Sequence, residues 1–255
     1  MNILACYKLV PEEQDVVVND DRSISWDRAE WKVGDYDLTG IEAAMQLAEA
    51  SDGKVTAMSV GAHELDNSKL RKSVLAHGPE ELICATDDSF AGIDAYQTAC
   101  LLKSAVDKLG GVDLVVCGDG SADIYAQQVG PVLGELLGWA NVNAVSAVTY
   151  DAASGDLEVE RTLDDGTEEL HVELPAVLSI ASDFAEARIP SMKDILSAGK
   201  KPVNEWSAAD LDALVPSCLE VESVMAPPEA ERLQQVYDDG ENGIEQFAAA
   251  LKAKL

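Results

Sequence analysis

The sequence predicts a doubly wound α/β domain, in which helices cover both faces of a mainly parallel sheet. Three observations carry this prediction. Short apolar runs alternate with helix-length segments, most of which end in glycine. The runs are apolar almost throughout, as in strands that are buried on both faces. Finally, 47% of the 255 residues are hydrophobic, enough to form a substantial core.

Apolar runs in the first half are the predicted strands, and the segments of helical period between them are the predicted helices. The strands are expected at residues 2–10 (NILACYKLV), 54–60 (KVTAMSV), 81–86 (ELICAT) and 112–118 (VDLVVCG). The helices are expected at residues 37–50 (DLTGIEAAMQLAEA), 67–78 (NSKLRKSVLAHG) and 94–110 (DAYQTACLLKSAVDKLG).

The pattern changes after about residue 148. Alternating residues in LEVER (157–161) and LHVEL (170–174) flank Asp165-Gly166, a dipeptide typical of hairpin turns, and a buried strand is expected in AVLSIAS (176–182). Around Pro227-Pro228 the chain is expected to form an extended arm, followed by a last helix in GIEQFAAALKAKL. We therefore divide the chain into an α/β nucleotide-binding domain with a hairpin (1–186), a loop (187–202) and a C-terminal arm with a helix (203–255).

Charge and hydropathy restrict the class of protein. Asp and Glu number 47 against 18 Lys and Arg, a formal net charge of -29, so the surface repels nucleic acid and anionic lipid. No apolar stretch approaches the roughly 18 residues of a membrane span, and the N-terminus lacks the pattern of a signal peptide. We expect a cytoplasmic protein with no nucleic-acid partner and no membrane span.

One turn has the composition of a phosphate-binding loop. In VVCGDGSADIYAQQVGP (115–131) a buried strand runs through Gly118 and Gly120 into a helical segment, which lets backbone N–H groups approach a phosphate. The dinucleotide fingerprint G-x-G-x-x-G is not met, because Asp123 occupies its sixth position, so a simple strand-to-helix connection is the alternative. Neither a G-x-S-x-G nor an H-E-x-x-H motif is present, and no catalytic side chains or metal ligands are predicted.

A basic segment interrupts the acidic chain. In ARIPSMKDILSAGKKP (187–202), four basic residues stand against Asp194 around a proline. In an acidic protein, such a segment is expected either to bind a partner or to be held against the protein itself.

Four motifs together resemble a known family. NILACYKLVPEEQD, YDLTGIEAAMQLAE, CGDGSADIYAQQVGP and RIPSMKDILSAGKKPV look like the beta subunit of electron transfer flavoprotein, most of all its Fix-type branch. The resemblance implies a heterodimer with an alpha subunit, an FAD held between the two chains, and an adenine nucleotide in the beta subunit. That nucleotide is AMP in single-flavin members and a second FAD in electron-bifurcating ones, and the run AQQVGP is nearer the bifurcating pattern.

The resemblance also implies a set of nucleotide-binding residues. Asp119 departs from the family pattern, because an anionic side chain near a pyrophosphate is unfavourable unless it points away or meets a cation. Ile124 and Tyr125 depart from it as well. The implied set is Cys6, Gly34, Asp35, Tyr36, Asp37, Val60, Gly118, Asp119, Gly120, Ser121, Ala122, Asp123, Ile124, Tyr125, Ala126, Gln127, Gln128 and Val129.

Residues 187–202 match the recognition loop of that family, which docks on a partner flavin dehydrogenase through one apolar anchor. The resemblance places Met192 at the anchor position and includes Lys193 in the recognition set. Arg188, Lys200 and Lys201 are expected to fix the segment to this protein or to meet the alpha subunit. The alternative for Met192 is a residue that merely fills the core.

Two functions follow from these expectations. As an electron carrier subunit, the protein would take electrons from a flavin dehydrogenase of the acyl-CoA type or from NADH. It would pass them to a quinone-linked oxidoreductase or to ferredoxin, with the redox chemistry done by the flavin. The alternative is a stand-alone adenine-nucleotide-binding regulator of the universal-stress type, which shares the adenine nucleotide alpha hydrolase-like fold. Such a regulator needs neither the hairpin nor the segment at 187–202.

Overall fold

The protein has the predicted α/β architecture, with helices on both faces of a large, mostly parallel sheet. The structure, a computed structural model, describes residues 1–211, 215–228, 234–238 and 240–254. Its strands are β1 (Asn2–Cys6), β2 (Leu9–Pro11), β3 (Val17–Val18), β4 (Ile24–Ser25), β5 (Trp31–Val33), β6 (Lys54–Gly61), β7 (Glu81–Thr86), β8 (Leu114–Gly118), β9 (Ala140–Tyr150), β10 (Leu157–Leu163), β11 (Gly166–Val172), β12 (Ala176–Ile180) and β13 (Val203–Trp206). Its α-helices are α1 (Asp35–Ser51), α2 (Ser68–Ala76), α3 (Ala95–Leu109), α4 (Val129–Leu137), α5 (Met192–Ala198), α6 (Ala208–Leu211) and α7 (Glu241–Lys252).

Nine strands form the central sheet, in the order β11-β10-β9-β12-β8-β1-β6-β7-β13. The pairs from β9 to β13 are all parallel, and only the β9-β10 and β10-β11 pairs are antiparallel. The predicted hairpin therefore extends one edge of the sheet. β12 returns from the hairpin and lies between β8 and β9.

The two faces of the sheet bury separate hydrophobic clusters, because successive side chains of a strand point to opposite faces. Along β1, Ile3 and Ala5 pack on one side with α1, α2 and Ala198 of α5. Leu4 and Cys6 pack on the other side with α3, Leu133 of α4 and Leu211 of α6. This two-sided burial explains why the central strands are apolar almost throughout.

Local sequence signals set the limits of the helices. The side chain of Asp94 accepts a hydrogen bond from the backbone of Gln97, whose own side chain bonds back to residue 94, and this capping box begins α3. Asn67 caps α2 in a similar way. Helix α4 ends at Gly138, which has a left-handed conformation that glycine adopts at little cost.

The structure differs from the sequence-based expectations in the first strand and in several elements that were not predicted. The first strand ends at Cys6, not at residue 10, because the chain leaves the sheet and its next strand, β2, pairs with β5 instead. The elements that were not predicted include strands β9 and β13, the short strands β3, β4 and β5, helix α6, and helix α5 within the basic segment. Of these, β9 and β13 enlarge the sheet on both sides without changing its class.

The chain divides into two compact units. The first contains Met1–Val17 and Ser25–Glu222, and the second contains Val18–Ile24 and Ser223–Leu255. In the second unit Ser23 forms an antiparallel bridge with Met225, and the Tyr237 ring meets the edge of Phe247 at 5.7 Å. Among the described residues, no helix has the length and apolar character to cross a membrane.

Candidate functional site

A crevice is expected where neighbouring strands lead the chain in opposite directions. In the central sheet, β1 lies between β6 and β8. The strands that follow β1 in the chain, β6 and β7, lie on one side of it, whereas the later strands β8 and β12 lie on the other side. At such a switch point, ligands of open α/β sheets bind beyond the carboxyl ends of the strands. Here that point lies between Cys6, the last residue of β1, and Gly118, the last residue of β8.

The structure brings the four predicted nucleotide-binding segments to this edge of the sheet. Cys6 and Gly118 end their strands, and Val60 is the next-to-last residue of β6, which pairs with β1. Gly34 is the N-cap of α1, whose first turn contains Asp37. These segments therefore lie at one edge of the sheet, although most of them are far apart in sequence; that they bind a nucleotide stays a prediction.

Helix α1 begins directly against the end of β8. A Cβ atom at Gly118 would lie only 2.9 Å from the Cβ of Tyr36 and 2.8 Å from Oδ1 of Asp37. A side chain does not fit at these distances, so glycine allows the helix and the loop to meet.

Asp37 is a buried carboxylate within this contact. Its Oδ2 accepts a hydrogen bond of 2.8 Å from the backbone N–H of Lys8, which is how the chain after β1 is joined to α1. Burial is the dominant influence and raises the pKa of Asp37 to about 7, although the backbone bond from Lys8 lowers it in part. Burial at this position therefore favours the neutral form of the carboxyl group more than exposure to solvent would.

Asp119 is buried but directed towards β9, on the far side of β12 from β1. Its carboxylate accepts hydrogen bonds from Nε2 of Gln127 at 2.6 Å and from the backbone N–H of Ala144 at 3.1 Å. Ala144 has a φ of 54°, a left-handed conformation that is unfavourable for alanine and is held by this bond. The anionic side chain that departs from the family pattern thus points away and has donors of its own.

The loop after Gly118 presents backbone donors of the kind that bind phosphate. Within the described parts of the chain, the N–H groups of Gly120, Ser121, Ala122 and Asp123 donate to no protein acceptor. Successive free N–H groups can bind an anion where they converge on it. Residues 120–123 are therefore candidate donors for an anionic ligand.

Two tyrosines lie over this loop. The ring of Tyr125 covers Gly120 and leaves no room there for a Cβ atom, and it meets the Tyr36 ring with centroids 5.4 Å apart. Tyr125 and Gln127 both have positive φ, 53° and 55°. The loop is thus held in a conformation that non-glycine residues adopt at some cost in energy.

Lys8 is a functional candidate that the sequence analysis missed. Its Nζ forms an ion pair of 2.5 Å with Oδ2 of Asp123, so a cation that follows β1 bridges to the loop that follows β8. Burial would raise the pKa of Asp123, but the hydrogen bond from Lys8 lowers it below its ordinary value. A lysine two residues beyond the first strand was a visible signal for this role.

The other predicted residues have lesser places in the crevice. Val60 packs in the second hydrophobic cluster with Cys6. Asp35 faces Lys32, at 3.3 Å. Residues 122–128 of the loop are all exposed, and Val129 begins α4.

The basic segment is held to the body of the protein by Arg188. Its guanidinium donates hydrogen bonds to both carboxylate oxygens of Glu42, at 2.7 and 3.1 Å, and to Glu49 at 2.7 Å. Burial would raise the pKa of Glu42, but the bonds from Arg188 lower it below its ordinary value. Arg188 therefore fixes the start of the segment to α1.

Lys201 fixes the other end. Its Nζ donates to the carbonyl oxygens of Leu75 and Gly78, at 2.8 and 3.0 Å, at the carboxyl end of α2. Such an arrangement stabilises the free carbonyl groups and the dipole of a helix end. Lys193 and Lys200 are exposed.

Between these two attachments, the segment exposes apolar side chains. Met192 is 73% exposed, which excludes the alternative that it fills the core, and it begins α5 behind a capping box of Ser191 and Asp194. Ile189, Ile195 and Leu196 are exposed as well. These three and Met192 are called the apolar patch below.

A comparison with protein-family models gives one finding for this chain. A model described as the electron transfer flavoprotein domain matches residues 23–211, which is most of the chain. The match includes α1, the loop after β8 and the whole of the segment at 187–202.

Proposed function

Since the chain belongs to the electron transfer flavoprotein domain family, we propose that it is a beta-type subunit of such a carrier, of the Fix-type branch. It would work in the cytoplasm as a heterodimer with an alpha subunit. An FAD shared between the two subunits supplies the redox chemistry when bound, and this chain binds an adenine nucleotide of its own, AMP or a second FAD. The protein residues bind, orient and shield these groups.

The proposed nucleotide site is the crevice between β1 and β8. The free N–H groups of residues 120–123 would hold the phosphate. The apolar side chains of Cys6 and Val60 would line the wall, and the buried end of α1 would close the site behind Gly118. A second FAD in place of AMP would make the carrier an electron-bifurcating one.

One observation carries the proposal of a carrier: the apolar patch is exposed on a segment that is attached at both ends. A large apolar surface on a fixed segment indicates a site for a protein partner. We assign residues 187–202 to recognition of the partner flavin dehydrogenase, with Met192 as the anchor. A flexible thioether suits a surface that must fit more than one partner.

The C-terminal arm and helix, predicted at 203–255, are proposed to pack on the alpha subunit through the part that follows β13 and α6, because β13 pairs with β7 in the sheet and Leu211 is buried. Helix α7 exposes Ile244, Phe247 and Leu251, which recur at the spacing of a single helix face. The extended arm before it exposes Leu219, Val221, Val224 and Met225.

Electrons would enter from an acyl-CoA type dehydrogenase or NADH and leave to a quinone-linked oxidoreductase or ferredoxin.

Co-expression with an alpha subunit tests the carrier function. We expect a stable yellow heterodimer that releases FAD and an adenine nucleotide on denaturation. Release of AMP and FAD would identify a single-flavin carrier, and release of two FAD per heterodimer a bifurcating one. A chain that binds an adenine nucleotide but gives no heterodimer would instead be a stand-alone regulator of the universal-stress type.

The anchor is tested by Met192→Ala. We expect electron transfer with the dehydrogenase to slow by about tenfold or more, since a central anchor residue is worth about 2 kcal/mol. Nucleotide content and heterodimer assembly should not change, because the side chain is exposed. Val17→Ala, at another exposed apolar side chain, is the matched control. Equal transfer rates for the two variants would refute the anchor assignment.

A further inference from the structure

Lys8 stands where the two halves of the proposed nucleotide site meet. Its backbone joins β1 to α1, because its N–H donates to Asp37 and its carbonyl oxygen accepts from Gly34 at 3.0 Å. Its side chain crosses instead to the loop after β8 and ends at Asp123. The ammonium group is therefore at the switch point of the sheet, where phosphates are bound in folds of this kind.

The electrostatic environment makes this position unusual. The molecule carries a net charge of -29, and both Asp37 and Asp123 lie beside the crevice. Lys32, which approaches the start of α1 from outside, is already within 4 Å of Glu12, Glu13 and Asp35. A doubly charged phosphate entering the crevice needs a cation, and Lys8 is paired with Asp123, whose own N–H group is one of the free donors of residues 120–123.

We propose that Lys8 is the phosphate-recognition residue of this site and that the Asp123 carboxylate holds its ammonium group in place until a nucleotide phosphate displaces it. This inference rests on the proposed nucleotide-binding function. It adds a residue and an exchange of ion pairs that determine which ligands bind: adenine compounds with a phosphate are favoured over those without one.

Because Lys8 exchanges Asp123 for the phosphate, its contribution to nucleotide affinity is limited. Lys8 is about half exposed, its side chain 45% accessible, so its pair with Asp123 contributes little to the stability of the fold and breaks readily. A phosphate dianion accepts charge-assisted hydrogen bonds more strongly than a single carboxylate does. Since one ion pair replaces another, only the difference between the two contributes to affinity.

The test measures binding of AMP and adenosine to the full-length chain after co-purified nucleotide has been removed on charcoal. We expect Lys8→Met to weaken AMP binding about tenfold and adenosine binding by less than about twofold. Lys8→Arg, which keeps the charge, should stay within about threefold of the original protein for AMP. The backbone bond from residue 8 to Asp37 remains in both variants, so the fold is expected to persist.

Asp123→Asn tests the second half of the inference. Removal of the competing carboxylate should strengthen AMP binding about threefold and leave adenosine binding unchanged. In the Lys8→Met background the gain should be smaller, since no ammonium group is left to release. Lys103→Met is the matched control, because Lys103 and Asp107 form an ion pair of the same 2.5 Å length on α3, outside the site.

The outcomes separate this inference from the proposal on which it rests. If the original protein binds none of AMP, FAD and adenosine, nucleotide binding is wrong and the role of Lys8 falls with it. If the protein binds AMP but Lys8→Met binds it equally well, or loses AMP and adenosine alike, only the role of Lys8 is refuted. Weaker AMP binding by Asp123→Asn would refute the exchange of ion pairs.

Discussion

Three aspartates near the end of β8 have the same side chain and three different functions. Asp119 is bonded to Gln127 and Ala144 and supports the backbone of β9. Asp123 pairs with Lys8 at the mouth of the crevice. Asp37 is enclosed behind Gly118, where desolvation raises its pKa. The environment of each carboxylate, set by residues distant in sequence, decides what it does.

Asp37 should make the stability of the protein depend on pH. Its pKa is about 7 in the folded protein, against about 3.9 for an unfolded chain, so only the folded protein keeps the proton between these values. Stability from this group is therefore complete below about pH 4 and is lost as the pH rises to about 7, by on the order of a few kcal/mol. Asp123, whose repulsion also raises the pKa, and Lys8 are the charged groups that face it.

The variant Asp37→Asn removes this titration. We expect its free energy of unfolding, measured with urea, to fall less between pH 5 and pH 8 than that of the original protein. Asp107→Asn, at an exposed carboxylate on α3, should keep the original pH dependence. Parallel profiles for Asp37→Asn and the original protein would show that Asp37 is ionised throughout this range.

The residues of the candidate site were predictable to different degrees. The convergence of Cys6, Gly34 and Gly118 followed from sequence, because carboxyl ends of parallel strands meet at one edge. The direction of Asp119 was not predictable, since it depends on the N–H of Ala144, 25 residues away on a strand that was itself not foreseen. Alternation and turn signals indicate which strand or turn a residue belongs to, but not which distant donor its side chain meets.

The elements with a strong hydrophobic periodicity and clear start and stop residues were predicted best. Strand β7 has its predicted bounds, and β6 extends only one residue beyond them. Strand β9 was missed because a register shift opposite it and the left-handed Ala144 interrupt its apolar pattern. Helix α5 carried a readable signal, the capping-box spacing of Ser191 and Asp194 directly after Pro190.

The attachment of α5 to the body depends on the ion pair between Arg188 and Glu42. Arg188→Ala would leave the buried Glu42 carboxylate with weaker compensation, at a cost of about 2 kcal/mol, less than for a fully buried pair because Arg188 is partly exposed. We expect earlier unfolding in urea and faster hydrogen exchange at residues 187–199.

A second variant separates the charge from the attachment. Arg188→Ala combined with Glu42→Gln should recover most of the stability, because no buried charge remains, whereas hydrogen exchange in the segment should stay fast. Lys193→Ala, at an exposed lysine of the same segment, should behave as the original protein. If Arg188→Ala matches Lys193→Ala in both measurements, the ion pair does not hold the segment.

At the scale of the whole molecule, the excess of negative charge dominates the electrostatics. Acidic residues number 47 and basic residues 18, so most carboxylates have no cation to pair with. Exposed ion pairs contribute about 0–1 kcal/mol each, and salt weakens them, but it also screens repulsion among all the unpaired carboxylates. The screening of repulsion should outweigh the weakening of the ion pairs.

We therefore expect salt to stabilise the protein. Between 0.05 and 1 M NaCl the free energy of unfolding should rise by about 2 kcal/mol, which corresponds to a rise in Tm of about 4–8 °C. The Tm in sucrose of equal osmolality serves as the control for effects that do not depend on charge. A Tm that falls with NaCl would mean that the ion pairs outweigh the repulsion.

The position of β12 has a consequence for synthesis of the chain on the ribosome. Strand β8 is made before the hairpin, but the neighbour that pairs with its outer edge is β12, residues 176–180. Until that stretch leaves the ribosome, β8 is an apolar strand with an open edge, the kind of surface that attracts other unfinished chains. The nascent protein should accordingly engage chaperones most strongly between emergence of β8 and emergence of β12, and release them as this gap in the sheet is filled.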